Sequence, residues 1–319
     1  MNLIKKLSLA LGAMAALVAL AQPASASRWD VNGDGSVTSV DITALYNYLL
    51  NGNMEFPESA YDIDKDGHIS SVDITEIYNV LLNGIPEDVT EYTVNGVKFK
   101  MVNVEGGTFM MGNPDYQSSS DYHYEGPVHQ VTVSSFAIGQ TEVTQELWQA
   151  VMGWNYSGHG GNAQYPTEYV NYEMCQQFIA KLNEMTGENF RLPTEAEWEF
   201  AARGGNLSKG YLYSGSNAIN DVAWCNVNSN EESHAVGTKA PNELGIYDMS
   251  GNVWEYCSDW FVDHYSAEAQ TNPTGPETGQ EKVIRGGSWY GGANVCRVTQ
   301  RFKVPTLFGD DDIGLRLAK

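Results

Sequence analysis

The sequence predicts an α+β chain in two parts: a small helical module built on two acidic loops, then a larger domain mixing short strands and helices around turn-rich stretches. Three observations carry that expectation. Residues 30–41, Asp-Val-Asn-Gly-Asp-Gly-Ser-Val-Thr-Ser-Val-Asp, return at an offset of thirty-two as residues 62–73, Asp-Ile-Asp-Lys-Asp-Gly-His-Ile-Ser-Ser-Val-Asp. Each copy runs into an apolar segment with helical spacing. The stretch from Pro241 to Glu255 and the run Arg285-Gly286-Gly287-Ser288-Trp289 are too rich in Gly, Asn and Trp for a helix or a strand.

The chain opens with Lys5-Lys6, an apolar run from Leu7 to Ala21, and Ala24-Ser25-Ala26. That layout predicts a secretory signal peptide over 1–26, cut after Ala26. The apolar run is short for a membrane span, so a secreted chain without a span is expected. The net charge of −22 disfavours nucleic acid, because such a surface repels phosphate backbones. Much of that charge lies between Asp30 and Asp73, where a metal would neutralise it.

In the two loops, Asp30, Asn32, Asp34, Ser36 and Asp41, and then Asp62, Asp64, Asp66, His68 and Asp73, fall at positions 1, 3, 5, 7 and 12. Gly35 and Gly67 stand at position 6, where the loop turns sharply. This is EF-hand spacing, with Asp replacing the usual Glu at position 12, and it predicts two calcium ions. Behind each loop Ile42, Leu45, Tyr46 and Leu49, and then Ile74, Ile77, Tyr78 and Leu81, make an apolar helix face that Gly52 and Gly84 close. A module this small has little core, so calcium is expected to contribute much of its folding free energy.

Ile85-Pro86-Glu87-Asp88 ends the second helix, and residues 87–97 read as a linker. Asn95-Gly96 between β-prone runs predicts a hairpin. Thr144 and Gly153 bound one helix, Asn171 and Gly187 a second, and Thr194 with Glu197 forms a capping box opening a third. In that third helix Glu195, Glu197 and Glu199 take structural roles. The sequence has no His-Glu-x-x-His, no Gly-x-Ser-x-Gly elbow, no phosphate-binding glycine loop and no dinucleotide fingerprint. Ser288 lacks a matched base and reads as a turn hydroxyl. Four cysteines allow three pairings, and the sequence does not choose among them.

The duplicated loop–helix units with Asp at position 12 resemble type I dockerins, which are calcium-dependent modules that bind cohesins on scaffold proteins. The resemblance covers residues 27–86 and implies a cohesin-bearing partner, contacted by Ser39-Val40 and Ser71-Val72 at loop positions 10 and 11. Because that pair is repeated unchanged, docking in two orientations is expected.

Pro241–Glu255, Arg191–Arg203, Arg285–Trp289 and Ile313-Gly314-Leu315-Arg316 resemble the formylglycine-generating enzyme, or sulfatase-modifying factor, family over residues 98–319. The resemblance implies a C-type-lectin-like fold with little regular secondary structure. It also implies a third calcium, held by Asp248, the carbonyls of Gly251 and Val253, and Glu255. The oxidases of this family hold copper(I) between two cysteines shortly after Gly-Gly-Ser, since soft thiolates select the cuprous ion. Counted forward from Ser288, those places hold Gly291 and Cys296. Counted backward from Arg297–Arg301, both cysteines disappear. Cys296 is therefore the single catalytic candidate for an oxidase using copper, and Cys257 is expected to pack near it or bridge it. The better-supported expectation is a domain that binds a ligand without oxidase chemistry. Trp289, Tyr290, Asn294 and Phe302 supply the binding surface, as rigid aromatics and adaptable amides do. The segment from Ser288 to Ile313 also resembles the varied C-terminal ends of lectin-fold proteins diversified by retroelements.

Overall fold

A computed structural model describes residues 22–23, 29–32, 34, 36–52, 55–57, 60–63, 68–83, 89–117, 124–159 and 163–319. The leader expected over 1–26 lies almost wholly outside them, as do Asp64, Asp66, Gly84 and Ile85-Pro86. Contacts divide the chain into two compact units, residues 1–86 and 87–319. No helix among the described residues is long and apolar enough to cross a membrane.

In the first unit, helices α1 (Ser39–Asn51) and α2 (Ser71–Asn83) each begin inside an acidic loop, at loop position 10. The reason is local. Thr38 caps α1, its hydroxyl accepting from Val40, while Asp41 accepts from the Thr38 backbone N–H at 2.8 Å. Ser70 and Asp73 repeat the arrangement at α2. The last loop carboxylate therefore also fixes the helix start. Gly52 ends α1 in the left-handed region at φ 66°. The core gathers Trp29, Val31, Val37, Ile42, Leu45, Tyr61, Ile63 and Ile77. The expected helix face is only partly buried. Leu49 and Tyr78 lie exposed, and Tyr48 instead packs inward, stacked on Tyr61 at 4.9 Å.

In the second unit, β1 (Val89–Val94), β2 (Val97–Val104) and β5 (Phe136–Gly139) form an antiparallel sheet in the order β1-β2-β5. Asn95 and Gly96, at φ 48° and 83°, make the two-residue turn of the β1–β2 hairpin. The stretch 87–97 is therefore largely strand and turn of this unit, which differs from its reading as a linker. A second sheet pairs β3 (Gly107–Met111) with β4 (His129–Val133), and β4 in parallel with β7 (Gln270–Thr271). The third has the order β9-β8-β6-β10, from β6 (Trp254–Trp260), β8 (Glu281–Arg285), β9 (Arg301–Pro305) and β10 (Ile313–Gly314).

Helices α3 (Gln145–Met152), α4 (Tyr172–Thr186) and α5 (Glu195–Ala202) start on Thr144, Asn171 and Thr194, as their sequences predict. Gly153 and Gly187 close the first two in the left-handed region. Alternate residues of the third sheet face two cores, as the period of a strand requires. Tyr256 and Ile284 join Trp148, Phe178 and Leu315 on one side. Cys257 and Val283 join Trp198, Phe200 and Met249 on the other. The short helix α6 (Ile219–Val222) interrupts a long stretch of turns between Ala202 and Trp254.

Guanidinium–carboxylate pairs, most of them buried, tie these layers together. Glu195 meets Arg301 with both oxygens at 2.7 Å, Glu199 meets Arg285 and Arg203, and Glu197 meets Arg191 at 2.6 and 2.7 Å. These glutamates are thus committed to structure. Arg297 grips Glu125 at 2.6 and 2.7 Å across the domain.

Candidate functional site

The two glycine-rich turns singled out by the sequence are stitched to each other. The Gly251 N–H donates to the Gly286 carbonyl at 2.8 Å, and Trp289 N–H to the Asn252 carbonyl at 2.8 Å. Gly251 has no alternative, since at φ 81° an added Cβ would lie 2.2 Å from the Trp224 carbonyl oxygen. Asp248 and Asn252 also take positive φ, 59° and 60°.

The expected third calcium would share this turn with a guanidinium. The Glu255 carboxylate accepts from Arg316 at 2.6, 2.9 and 3.0 Å and from the Trp198 indole at 2.7 Å, so a guanidinium already neutralises it. A divalent cation there would face that fixed positive charge. One Asp248 oxygen accepts from Gly237 at 2.7 Å, and the other is buried without a hydrogen-bond partner. Burial raises the Asp248 pKa to about 6 and pushes Glu142 well above the usual carboxylate range, with Asp248 and Glu255 adding to the Glu142 shift. Arg316 offsets part of the charge of these carboxylates.

The acidic loops fit calcium better. Asp30, Asn32, Asp34 and Asp41 converge: Asp34 N–H reaches Asp30 at 3.2 Å, the Asn32 amide reaches Asp34 at 3.0 Å, and Asn32 N–H reaches Asp41 at 3.2 Å. Asp41 is pushed up in pKa, first by burial and further by Asp30 and Asp34. An all-oxygen set of like-charged side chains is a hard-cation donor set. In this conformation the Asp41 oxygens are turned to backbone N–H groups. Among the described residues, no three His, Cys, Asp or Glu side chains stand as a closed metal cage. In the second loop Asp73 accepts from Ile63 and Ser70 at 2.7 Å, and His68 is exposed. The expected contact residues Ser39, Val40, Ser71 and Val72 occupy the first turns of α1 and α2, with Val40 and Val72 55% and 51% exposed. Leu49, Leu50 and Tyr78 add exposed apolar surface to the same helices.

In the second unit a cleft of about 410 Å³ opens beside the Gly-Gly-Ser turn. Tyr290, Asn294 and Phe302 line it, so three of the four expected ligand residues come together. Trp289 does not. It is 6% exposed, its indole donating to the Asp311 carbonyl at 3.1 Å, and it braces the turn from below. The sequence reading missed Tyr124, Trp254, Gln300 and the Ser288–Asp312 pair, joined at 2.8 Å. Tyr124 and Trp254 come from segments far from the motif, and no local pattern marks them. Among the described residues no histidine lines the cleft, and the Ser288 hydroxyl donates to Asp312 instead.

The thiols lie beneath the cleft, not in it. Cys296 is fully buried, and its neighbour is Cys225, not Cys257, which faces the core beside Met249 and Val283. The Cys296 and Cys225 thiols hydrogen-bond each other, which draws the Cys225 pKa down to about 6 and pushes Cys296 up. All four cysteines are unbridged and buried. A substrate thiol entering the cleft meets no sulfur able to hold copper, so the lining does not fit the copper site of the oxidases. A second hollow of about 560 Å³ includes Asp259, His129 and Tyr265. Burial, with Glu195 adding, raises the Asp259 pKa to about 7.

Comparison with known proteins agrees with this architecture. A family described as the sulfatase-modifying factor enzyme 1-like domain matches residues 87–319, and the dockerin type I domain matches residues 28–82. The chain is 32% identical over 269 residues to the chaperone protein LppX of Paenibacillus barcinonensis, covering 69% of this chain and 89% of that one. It is 40% identical over 145 residues to the formylglycine-generating enzyme of Streptomyces coelicolor, covering 40% of this chain and 46% of that one. Among solved structures, Treponema denticola variable protein 1 superimposes with a TM-score of 0.67 at 33% identity, covering 72% of this chain and 98% of that one. PvdO from Pseudomonas aeruginosa superimposes with a TM-score of 0.62 at 27% identity, covering 73% and 98%. The chain therefore belongs to the sulfatase-modifying factor family, its domain of that kind following a type I dockerin module on one polypeptide.

Proposed function

We propose that this protein is a secreted, calcium-dependent adaptor: the dockerin module docks on a cohesin of a scaffold protein, and the C-terminal domain presents a ligand-binding cleft without oxidase chemistry. The observation that carries the reading is the cleft's composition. Tyr290 is 72% exposed and Phe302 48%, next to Asn294 and the Ser288–Asp312 pair, with no thiol among the lining residues. Rigid aromatic surface beside adaptable polar groups suits recognition more than redox chemistry. Exposed Leu307 and Phe308 lie further along the same C-terminal segment, which is the part expected to vary between members. The likeness to a Treponema protein titled a variable protein accords with that. For the docking half, exposed Val40 and Val72 at equivalent places on α1 and α2 support contact through either helix.

The test is capture of the full chain on an immobilised type I cohesin. Retention in calcium and release by EDTA are expected. Substituting Ser39-Val40 or Ser71-Val72 alone leaves binding within a few-fold, and substituting both pairs abolishes it. Retention unaffected by EDTA, or by loss of both pairs, contradicts the docking reading. The second reading is a formylglycine-generating oxidase converting a substrate cysteine. It is favoured by the match to enzymes of that name and by the adjacency of Cys225 and Cys296.

A further inference from the structure

Cys225 and Cys296 come from segments far apart in sequence and meet in a small apolar cluster with Tyr213 and Val222. Both side chains have no exposure to solvent and interact with each other, and Cys296 Sγ also lies 3.7 Å from the Gly292 carbonyl. The segments that carry them are tied to each other close by. Asn226 N–H donates to the Gly291 carbonyl at 3.0 Å, and the Ser229 hydroxyl donates to the Trp289 carbonyl at 2.9 Å. On the far side, Gly287 leaves room for the sulfur, because an added Cβ would stand 2.9 Å from Cys296 Sγ. Cys175 and Cys257 sit in the two larger cores with no cysteine beside them. A disulfide needs two side chains already adjacent, on backbone that does not have to move. Of the six pairs that four cysteines can make, only Cys225 with Cys296 shares one cluster.

We infer that Cys225 and Cys296 form a disulfide that pins the 288–296 loop, and with it Tyr290 and Asn294 of the cleft, to the segment following α6. The bond is made by exchange with a small-molecule or protein disulfide. One thiolate attacks a sulfur of that oxidant, releasing a thiolate and leaving a mixed disulfide. The second cysteine sulfur then displaces the remaining half. Two electrons and two protons leave the pair, and the oxidant departs as two thiols. The cross-link closes a loop of about 70 residues, long enough to constrain the unfolded chain strongly. It also consumes the two adjacent sulfurs of the domain, so the inference stands apart from the identity of the ligand.

The test uses the full chain, equilibrated with oxidised and reduced glutathione, alkylated under denaturing conditions and mapped by mass spectrometry. The expected result is one linked pair, the Cys225 and Cys296 peptides, with Cys175 and Cys257 alkylated, and complete loss of the linked species on adding dithiothreitol. Dithiothreitol is also expected to lower the denaturation midpoint of the native chain and to leave that of Cys225→Ser/Cys296→Ser unchanged. Alkylation of all four cysteines under an oxidising glutathione ratio, or a link through Cys175 or Cys257, overturns the inference. The peptide map of the native chain decides this even where the double variant does not fold.

Discussion

Arg316 is fully buried in the second unit and bonds three separate segments of it. Its guanidinium meets Glu255 and the carbonyls of Gly139 and Tyr247, with Glu142 and Asp248 adding negative charge around it. Removing it strands a buried carboxylate beside two others. Arg316→Met is expected to lower the unfolding free energy by about 3–5 kcal/mol, as measured by urea denaturation. A loss under about 1 kcal/mol would show that Glu255 simply takes up a proton. A pH dependence follows from two other buried acids. Burial raises Asp259 and Glu168 to about 7, from ordinary values of 3.8 and 4.5. The folded state therefore holds protons that the unfolded chain has released. Their contribution to stability is full at pH below the unfolded values and is lost as pH rises through about 7. Glu199 is shifted down by Arg203 and Arg285 against the pull of burial, so its effect falls in a separate window, below its ordinary 4.5. Denaturation midpoints are expected to drop between pH 5 and pH 8, and Asp259→Asn to flatten part of that drop. A midpoint that rises over the interval contradicts the assignment.

At the scale of elements, what the sequence disclosed was what short-range chemistry decides. Thr144, Asn171 and Thr194 cap their helices and Asn95-Gly96 turns its hairpin because each partner lies within four residues. The acidic loops were legible for the same reason, and they also yield a prediction. Asp41 both belongs to the cation set and anchors the Thr38 N–H at the start of α1. Asp41→Ala is expected to weaken calcium binding at the first loop at least tenfold and to cost about 1 kcal/mol of helix start besides. Calcium titration followed by far-ultraviolet circular dichroism separates the two effects. Loss of helical signal that added calcium fully restores contradicts the second role. The helix faces were read less well. Leu49 fits the apolar spacing yet is exposed, because the core is completed by Tyr61 stacking on Tyr48 from the other repeat. Spacing gives the stripe, and tertiary contact selects which part of it is covered.

At the scale of the whole molecule, the partners that matter are distant in the chain. Glu255 and Arg316 are 61 residues apart, and Arg297 and Glu125 are 172. The family resemblance offered Glu255 to calcium, and nearness to the motif offered Cys257 to Cys296. Neither assignment could register Arg316 or Cys225 arriving from elsewhere. The cleft was legible as to its loop, in Tyr290, Asn294 and Phe302, but its opposite walls were not. That division bears on function, since the oxidase reading needs two sulfurs facing a substrate, and no sulfur is among the residues lining the cleft. The most direct measurement is a mass spectrum of a Cys-x-Pro-x-Arg peptide incubated with the purified full chain, copper and a reductant. An unchanged cysteine mass is the predicted result. Conversion of that cysteine to an aldehyde, at a rate above copper and reductant alone, would contradict the account.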